Sequence, residues 1–167
     1  NPETELKKLM LRQSRLTLAV AESLTCGHVQ AAIGAVSGAS EYFLGGITAY
    51  SLAQKVKLLG VNRAHARGVN CVSQRVAVEM ARGACDRFGS DLAVATTGYA
   101  EPDRAGGIKA PLAWWALCHR RRGGRATIIT GLLEVPGATR VQVQARVTAE
   151  VLAQLVAYLR EFRGQRR

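Results

Sequence analysis

What this sequence lacks narrows its function before what it contains does. Its four cysteines, Cys26, Cys71, Cys85 and Cys118, are scattered, with no C-x-x-C pair. That excludes the close paired spacing of a structural zinc site or a disulfide framework. The thiols read as reduced, the chain as cytoplasmic, and every cysteine except Cys26 as a packing residue. No apolar run approaches the roughly 20 residues of a membrane span. The opening stretch NPETELKKLMLRQ lacks the apolar region of a secretion signal. The three histidines, His28, His65 and His119, form no H-x-x-x-H or similar pair, so neither a metal site nor a Ser-His-Asp triad is expected. Neither G-x-x-x-x-G-K-[ST] nor a strand-linked G-x-G-x-x-G occurs, which sets aside the usual adenine-nucleotide chemistries.

Acids are also in short supply: 12 against 23 lysines and arginines, a net charge of +11. Such a balance points first to nucleic acid, but its placement speaks against that partner. Much of the charge falls in RRRGGR (120–125) and RGQRR (163–167). The first reads as a β-hairpin tip and the second as a terminal tail. Neither interleaves aromatic residues for base stacking, so both read as solvated basic surface.

What is present fits one domain over 1–167, with a core over about 3–162 and a basic tail at 163–167, because 48% of the 167 residues are apolar. A helix is expected over 3–14, then a buried strand LTLAVA (16–21) and a helix HVQAAIGAV (28–36). GGITAY (45–50) reads as a second strand. Ser51 can cap the next helix and Gly60 end it. Residues 62–71 read as short and irregular. Ser73 caps a long amphipathic helix striped by Val76, Met80, Ala84 and Phe88. DLAVATTG (91–98) is a further buried strand, and the Gly- and Pro-rich loop 99–111 is long enough to suggest function. LAWWALCH and ATIITGLLEV read as an antiparallel hairpin, and a last helix spans about 139–162. The fold class expected is α/β: a three-layer α/β/α sandwich with one mixed sheet flanked by helices. Ligands on such sheets gather at loops beyond the carboxyl ends of strands.

Those loops hold the residues able to do chemistry. Glu22, Ser23, Thr25, Cys26 and Gly27 precede a helix, where hydroxyls and main-chain N–H groups suit a phosphate or carboxylate, or merely cap the helix. Ser40, Tyr50, Ser51 and Lys55 form a second group. A desolvated lysine can take the proton of a serine nucleophile, although a lone helix lysine is ordinarily solvated. Thr96, Thr97 and Gly98 end a strand.

The strings AESLTCG (21–27), GASEYFLGGITAYSLAQKVKLLGV (38–61), VSQRVAVEMARGA (72–84) and DLAVATTGYAEP (91–102), with the carboxyl helix, resemble the CinA C-terminal domain family over roughly 3–160. That family includes nicotinamide-nucleotide amidohydrolases. The resemblance implies deamidation of nicotinamide mononucleotide to nicotinate mononucleotide and ammonia, without metal or cofactor, in a homo-oligomer. It implies Ser40 as nucleophile and Lys55 as its base, assisted by Tyr50, with Ser23 and Thr97 orienting substrate; Ser23 and Ser40 can exchange roles. Thr25, Gly27 and Gly98 would line the substrate site and Arg140 would hold the phosphate. The chain departs from the family pattern at Cys26, Tyr99, Glu101, Ala113 and Gln144, all but the last in ligand loops. The alternative these departures raise is an impaired paralogue acting as a binding or regulatory protein.

Overall fold

The computed structural model describes residues 1–164. One five-stranded sheet has the order β2-β1-β3-β4-β5, built from β1 (Leu18–Glu22), β2 (Phe43–Thr48), β3 (Leu92–Tyr99), β4 (Leu112–His119) and β5 (Thr127–Glu134). β1 runs parallel to β2 and β3, while β4 and β5 are antiparallel additions. The sheet is therefore mixed, as the alternation of strands and helices predicts. All five residues of β1 are buried, as a strand covered on both faces requires.

The two faces carry separate apolar clusters. On one, α1 (Pro2–Met10), α2 (His28–Gly34) and α6 (Arg140–Gly164) pack Leu6, Ile33, Leu155 and Leu159 against Leu18, Val20 and Leu117 of the sheet. On the other, α3 (Leu52–Leu59), α4 (Arg63–Gly68) and α5 (Gln74–Phe88) pack Leu59, Ala77, Met80 and Ala84 against Ala19, Ala93 and Ala116. The small residues of this second face let α5 lie close to the strands.

Caps place the helices that matter for the site. Ser51 Oγ accepts from the Gln54 N–H at 3.3 Å, and Gly60 ends α3 with a left-handed φ of 69°. Thr139 and Gln142 cap α6 reciprocally: each side chain accepts from the other's N–H, at 2.9 and 3.4 Å. Arg140 is thereby fixed in the first turn.

Several boundaries differ from those expected. α1 stops at Met10, because residues 12–15, RQSR, offer no further apolar side to bury. β2 begins at Phe43, two residues early, because its register is set by the pairing Leu18↔Phe43 with β1. Segment 62–71 contains α4, whose sequence RAHARG lacks an apolar stripe; the Asn62 side chain starts it by accepting from the His65 N–H at 2.9 Å. Arg163 is no part of a free tail: it belongs to α6, is buried, and donates to the carbonyls of Leu9, Gln13 and Ser14. The remainder of the expected tail, 165–167, lies outside the described residues.

Candidate active site

The order of the strands creates the crevice. From β1 the chain passes through α2 to β2 on one side; from β2 it passes through α3, α4 and α5 to β3 on the other side of β1. The two crossovers use opposite faces of the sheet, so they separate at the carboxyl end of β1. That is the switch point at which ligands bind on parallel sheets. Ser23 is the first residue beyond it.

Glu22 and Ser23, adjacent in sequence, do different things. Glu22 is fully buried. Its Oε1 accepts from the Val29 N–H at 2.9 Å, and its Oε2 accepts from the Gln30 N–H and side chain at 3.1 and 2.8 Å. A carboxylate at a helix start meets both the free N–H groups and the positive dipole end. Of the readings this turn allowed, the structure shows a helix start occupied by the chain's own carboxylate. Thr25 is buried and shares a 2.8 Å hydrogen bond with Thr96 Oγ1. Gly27 takes a φ of 93° to begin the helix.

Ser23 meets Lys55 instead of a helix. Lys55 is 1% exposed, so it is not the solvated surface lysine that an isolated helix position suggests. Its Nζ is hydrogen-bonded to Ser23 Oγ at 2.9 Å and donates to the Tyr50 carbonyl at 2.7 Å. No carboxylate pairs with it among the described residues. Burial pushes the Lys55 pKa below the ordinary lysine value, and the proximity of Cys71 offsets part of that shift.

A cavity of about 370 Å³ opens beside this pair, and Ser23, Tyr50, Lys55, Arg67, Cys71 and Thr97 contribute to its wall. That volume lies at the lower end of ligand pockets, roughly 300–1,000 Å³. Gly98 also lines it, while Thr25, Gly27, Ser40 and Arg140 do not. The Thr97 hydroxyl donates to the Cys71 carbonyl at 2.6 Å, which ties the α4–α5 connection to β3. Tyr50 contributes its carbonyl to Lys55; its phenol accepts from Arg140 Nη1 at 3.4 Å. Arg140 Nε and Nη2 both donate to Glu101 Oε2, at 3.2 and 2.9 Å.

Ser40 is exposed in a 3-10 turn (Ala39–Glu41) ahead of β2. Since Leu18 pairs with Phe43 and Glu22 with Thr48, Ser40 and Ser23 lie beyond opposite ends of β1, at least about 13 Å apart at roughly 3.3 Å per residue. Within one chain, Lys55 is brought to Ser23 and not to Ser40.

The departures in the ligand loops leave the cavity open. Cys26 is exposed, with a left-handed φ of 47°, and neither it nor Tyr99 nor Glu101 lines the wall. Tyr99 OH accepts from Asn70 Nδ2 at 3.3 Å. Gln144 donates to the Leu24 carbonyl at 3.0 Å and so steadies the residue after Ser23. Ala113 faces Gly98 across the strands. Sequence reasoning missed Arg67, Asn70 and Cys71, all in the segment taken as irregular. Cys71, read as a packing residue, is part of the cavity wall.

A sequence model of the CinA C-terminal domain matches residues 3–159. The chain belongs to the CinA C-terminal domain family. It is 40% identical over 159 residues to a CinA-like protein of Chlorobium limicola, covering 93% of this chain and 36% of that one. A putative competence-damage inducible protein of Limosilactobacillus fermentum is 36% identical over 141 residues, covering 84% and 33%. This CinA domain therefore spans about a third of the length of those relatives. A solved CinA superfamily protein from Klebsiella pneumoniae superposes with a TM-score of 0.85 at 25% identity, covering 96% of both chains. One from Escherichia coli gives 0.81 at 28% identity, covering 93% and 89%.

Proposed function

We propose that this CinA domain is an amidohydrolase that converts nicotinamide mononucleotide to nicotinate mononucleotide and ammonia, in pyridine nucleotide recycling. The observation that carries the reading is the buried Lys55 amine 2.9 Å from Ser23 Oγ. A desolvated lysine is held toward its neutral form, so its lone pair can accept the serine proton. Ser23 Oγ then attacks the carboxamide carbon as its proton passes to Lys55 Nζ. The Leu24 N–H, which has no acceptor among the described residues, is the candidate donor to the oxyanion. The C–N bond breaks, Lys55 returns the proton to the departing amine, and ammonia leaves an ester on Ser23. Water, giving its proton to the same amine, attacks that ester, the bond to Ser23 Oγ breaks, and Lys55 returns the proton to Ser23. The scheme calls on no metal or cofactor.

The test is ammonia release from nicotinamide mononucleotide by the wild type beside Lys55→Ala. The expected loss is about 10²–10⁴-fold, the usual worth of a general base. Absence of release by micromolar wild-type enzyme contradicts the deamidase reading. A Lys55→Ala variant as fast as wild type keeps the activity and removes Lys55 from it.

One observation favours the second reading, a binding or regulatory protein with altered ligand loops: Glu101 occupies Arg140, the residue the family resemblance assigns to phosphate. The same assay separates the two.

Cytoplasmic placement belongs to the proposal, as do the four free thiols it keeps reduced. So does a homo-oligomer. The outer edges of β2 and β5 are unpaired among the described residues and carry Leu44 and Leu132, 45% and 46% exposed. Light scattering should return a multiple of the chain mass; a monomer at micromolar concentration would contradict it.

A further inference from the structure

Arg140 is the cation that the sequence offers for an anionic substrate, yet it is already engaged. Two of its nitrogens donate to Glu101 Oε2 and a third to the Tyr50 phenol. A phosphate arriving there would have to displace a carboxylate and then sit beside its negative charge. Lys55 is no substitute: it is buried against Ser23, and its charged form is disfavoured by desolvation.

One further cation lines the cavity. Arg67 stands in the last turn of α4, and no acid pairs with it among the described residues. Its side chain is exposed, and the main chain on either side of it is anchored. The Cys71 N–H donates to the Ala66 carbonyl at 2.7 Å, and the Cys71 carbonyl accepts from Thr97 at 2.6 Å. Asn70 and Cys71 take left-handed φ values of 50° and 63° to make that turn, a conformation that persists only when surrounding contacts hold it. Asn70 and Ser51 add polar groups to the same wall. A guanidinium that is permanently charged and presents a fork of N–H donors fits the oxygens of a phosphate monoester.

We infer that Arg67, and not Arg140, is the residue that binds the anionic group of the substrate, a phosphate monoester, in the Ser23–Lys55 cavity. The identity of that phosphate as the 5′-phosphate of nicotinamide mononucleotide rests on the deamidase reading. The presence of an anion site at Arg67 does not.

Two measurements on the intact chain test this. In the first, inorganic phosphate is titrated into the wild type, Arg67→Gln and Arg140→Gln while the arginine Nε–H resonances are followed. The Arg67 resonance is expected to shift saturably in the wild type and in Arg140→Gln. Saturation at Arg140 alone, or at neither arginine, overturns the inference. In the second, ammonia release is compared for nicotinamide mononucleotide and its phosphate-free riboside. Arg67→Gln should raise KM for the mononucleotide at least tenfold, with kcat within twofold, and leave the riboside within twofold; Arg67→Lys should recover part of the loss. An unchanged KM in Arg67→Gln overturns the inference. If phosphate saturates at Arg67 but wild type releases no ammonia from either compound, the deamidase reading fails and the anion site stands.

Discussion

A lysine buried without a carboxylate loses the hydration of its charged form and gains only what its hydrogen bonds return. Lys55 has Ser23 Oγ and the Tyr50 carbonyl for partners, and its pKa is lowered, chiefly by burial. The sign of the pH effect follows. Between its lowered folded-state pKa and its ordinary value, the unfolded chain binds a proton that the folded chain does not. Stability carried by this group is full above the ordinary value and is lost as pH falls through the lowered one. The proposed activity should move the same way, because only the neutral amine accepts a proton. The kcat/KM for ammonia release should rise with pH to a plateau whose midpoint lies below the ordinary lysine range. A rate that falls as pH rises through that range would contradict Lys55 as the base. Sequence made Ser23, Ser40 and Lys55 legible as residues able to do chemistry, but not which serine meets the lysine. That depends on Ser40 lying before β2 and Lys55 after it, and one strand separates the two ends of the sheet. Cys26 shows the limit in the other direction. It reads as a departure in a ligand loop, yet its left-handed backbone stands away from the cavity wall.

Among the elements, α5 organises the face that carries the site. Gly83 lies where α5 crosses the end of α3: a Cβ built there would press into the Leu59 main-chain carbonyl. Alanine is favoured over glycine within a helix by about 1 kcal/mol. A carbonyl that belongs to the end of α3 cannot yield as a side-chain tip can, so overpacking of about 1–3 kcal/mol dominates. Gly83→Ala should lower the urea midpoint; a midpoint at or above the wild-type value would contradict this packing. The helices with strong caps and stripes, α3 and α5, are legible from sequence to within a residue. Six-residue α4 is not, because RAHARG has no apolar face and its start depends on one Asn62 hydrogen bond. The cavity wall at Arg67, Asn70 and Cys71 was hidden with it. The loop 99–111 was legible as long and irregular. Its attachment through Tyr99 to Asn70 and through Glu101 to Arg140 was not, since both partners are remote in sequence.

At the scale of the whole molecule, the mixed sheet separates two kinds of surface. The cavity lies beyond the carboxyl ends of the parallel strands. The basic tip with Arg120, Arg121 and Arg122 follows β4, whose His119 pairs with Leu92 at the start of β3, so it stands at the other end of the sheet. There Arg121 lies over the Phe162 ring at 5.2 Å and Arg120 donates to the Ser90 carbonyl. Part of the charge that raised the question of nucleic acid is therefore engaged with the fold and remote from the site. The layered α/β architecture was legible because alternating strands and helices leave few ways to bury both faces of a sheet. The separation of Ser23 from Ser40 by the length of β1 was not, and it carries the central claim: the working pair is Ser23 with Lys55. The most direct test is the rate of ammonia release from nicotinamide mononucleotide by Ser23→Ala beside Ser40→Ala. Ser23→Ala should lose at least about a thousandfold, as loss of a nucleophile does, while Ser40→Ala stays within about tenfold of wild type. A Ser23→Ala variant that retains activity while Ser40→Ala loses it would contradict the account.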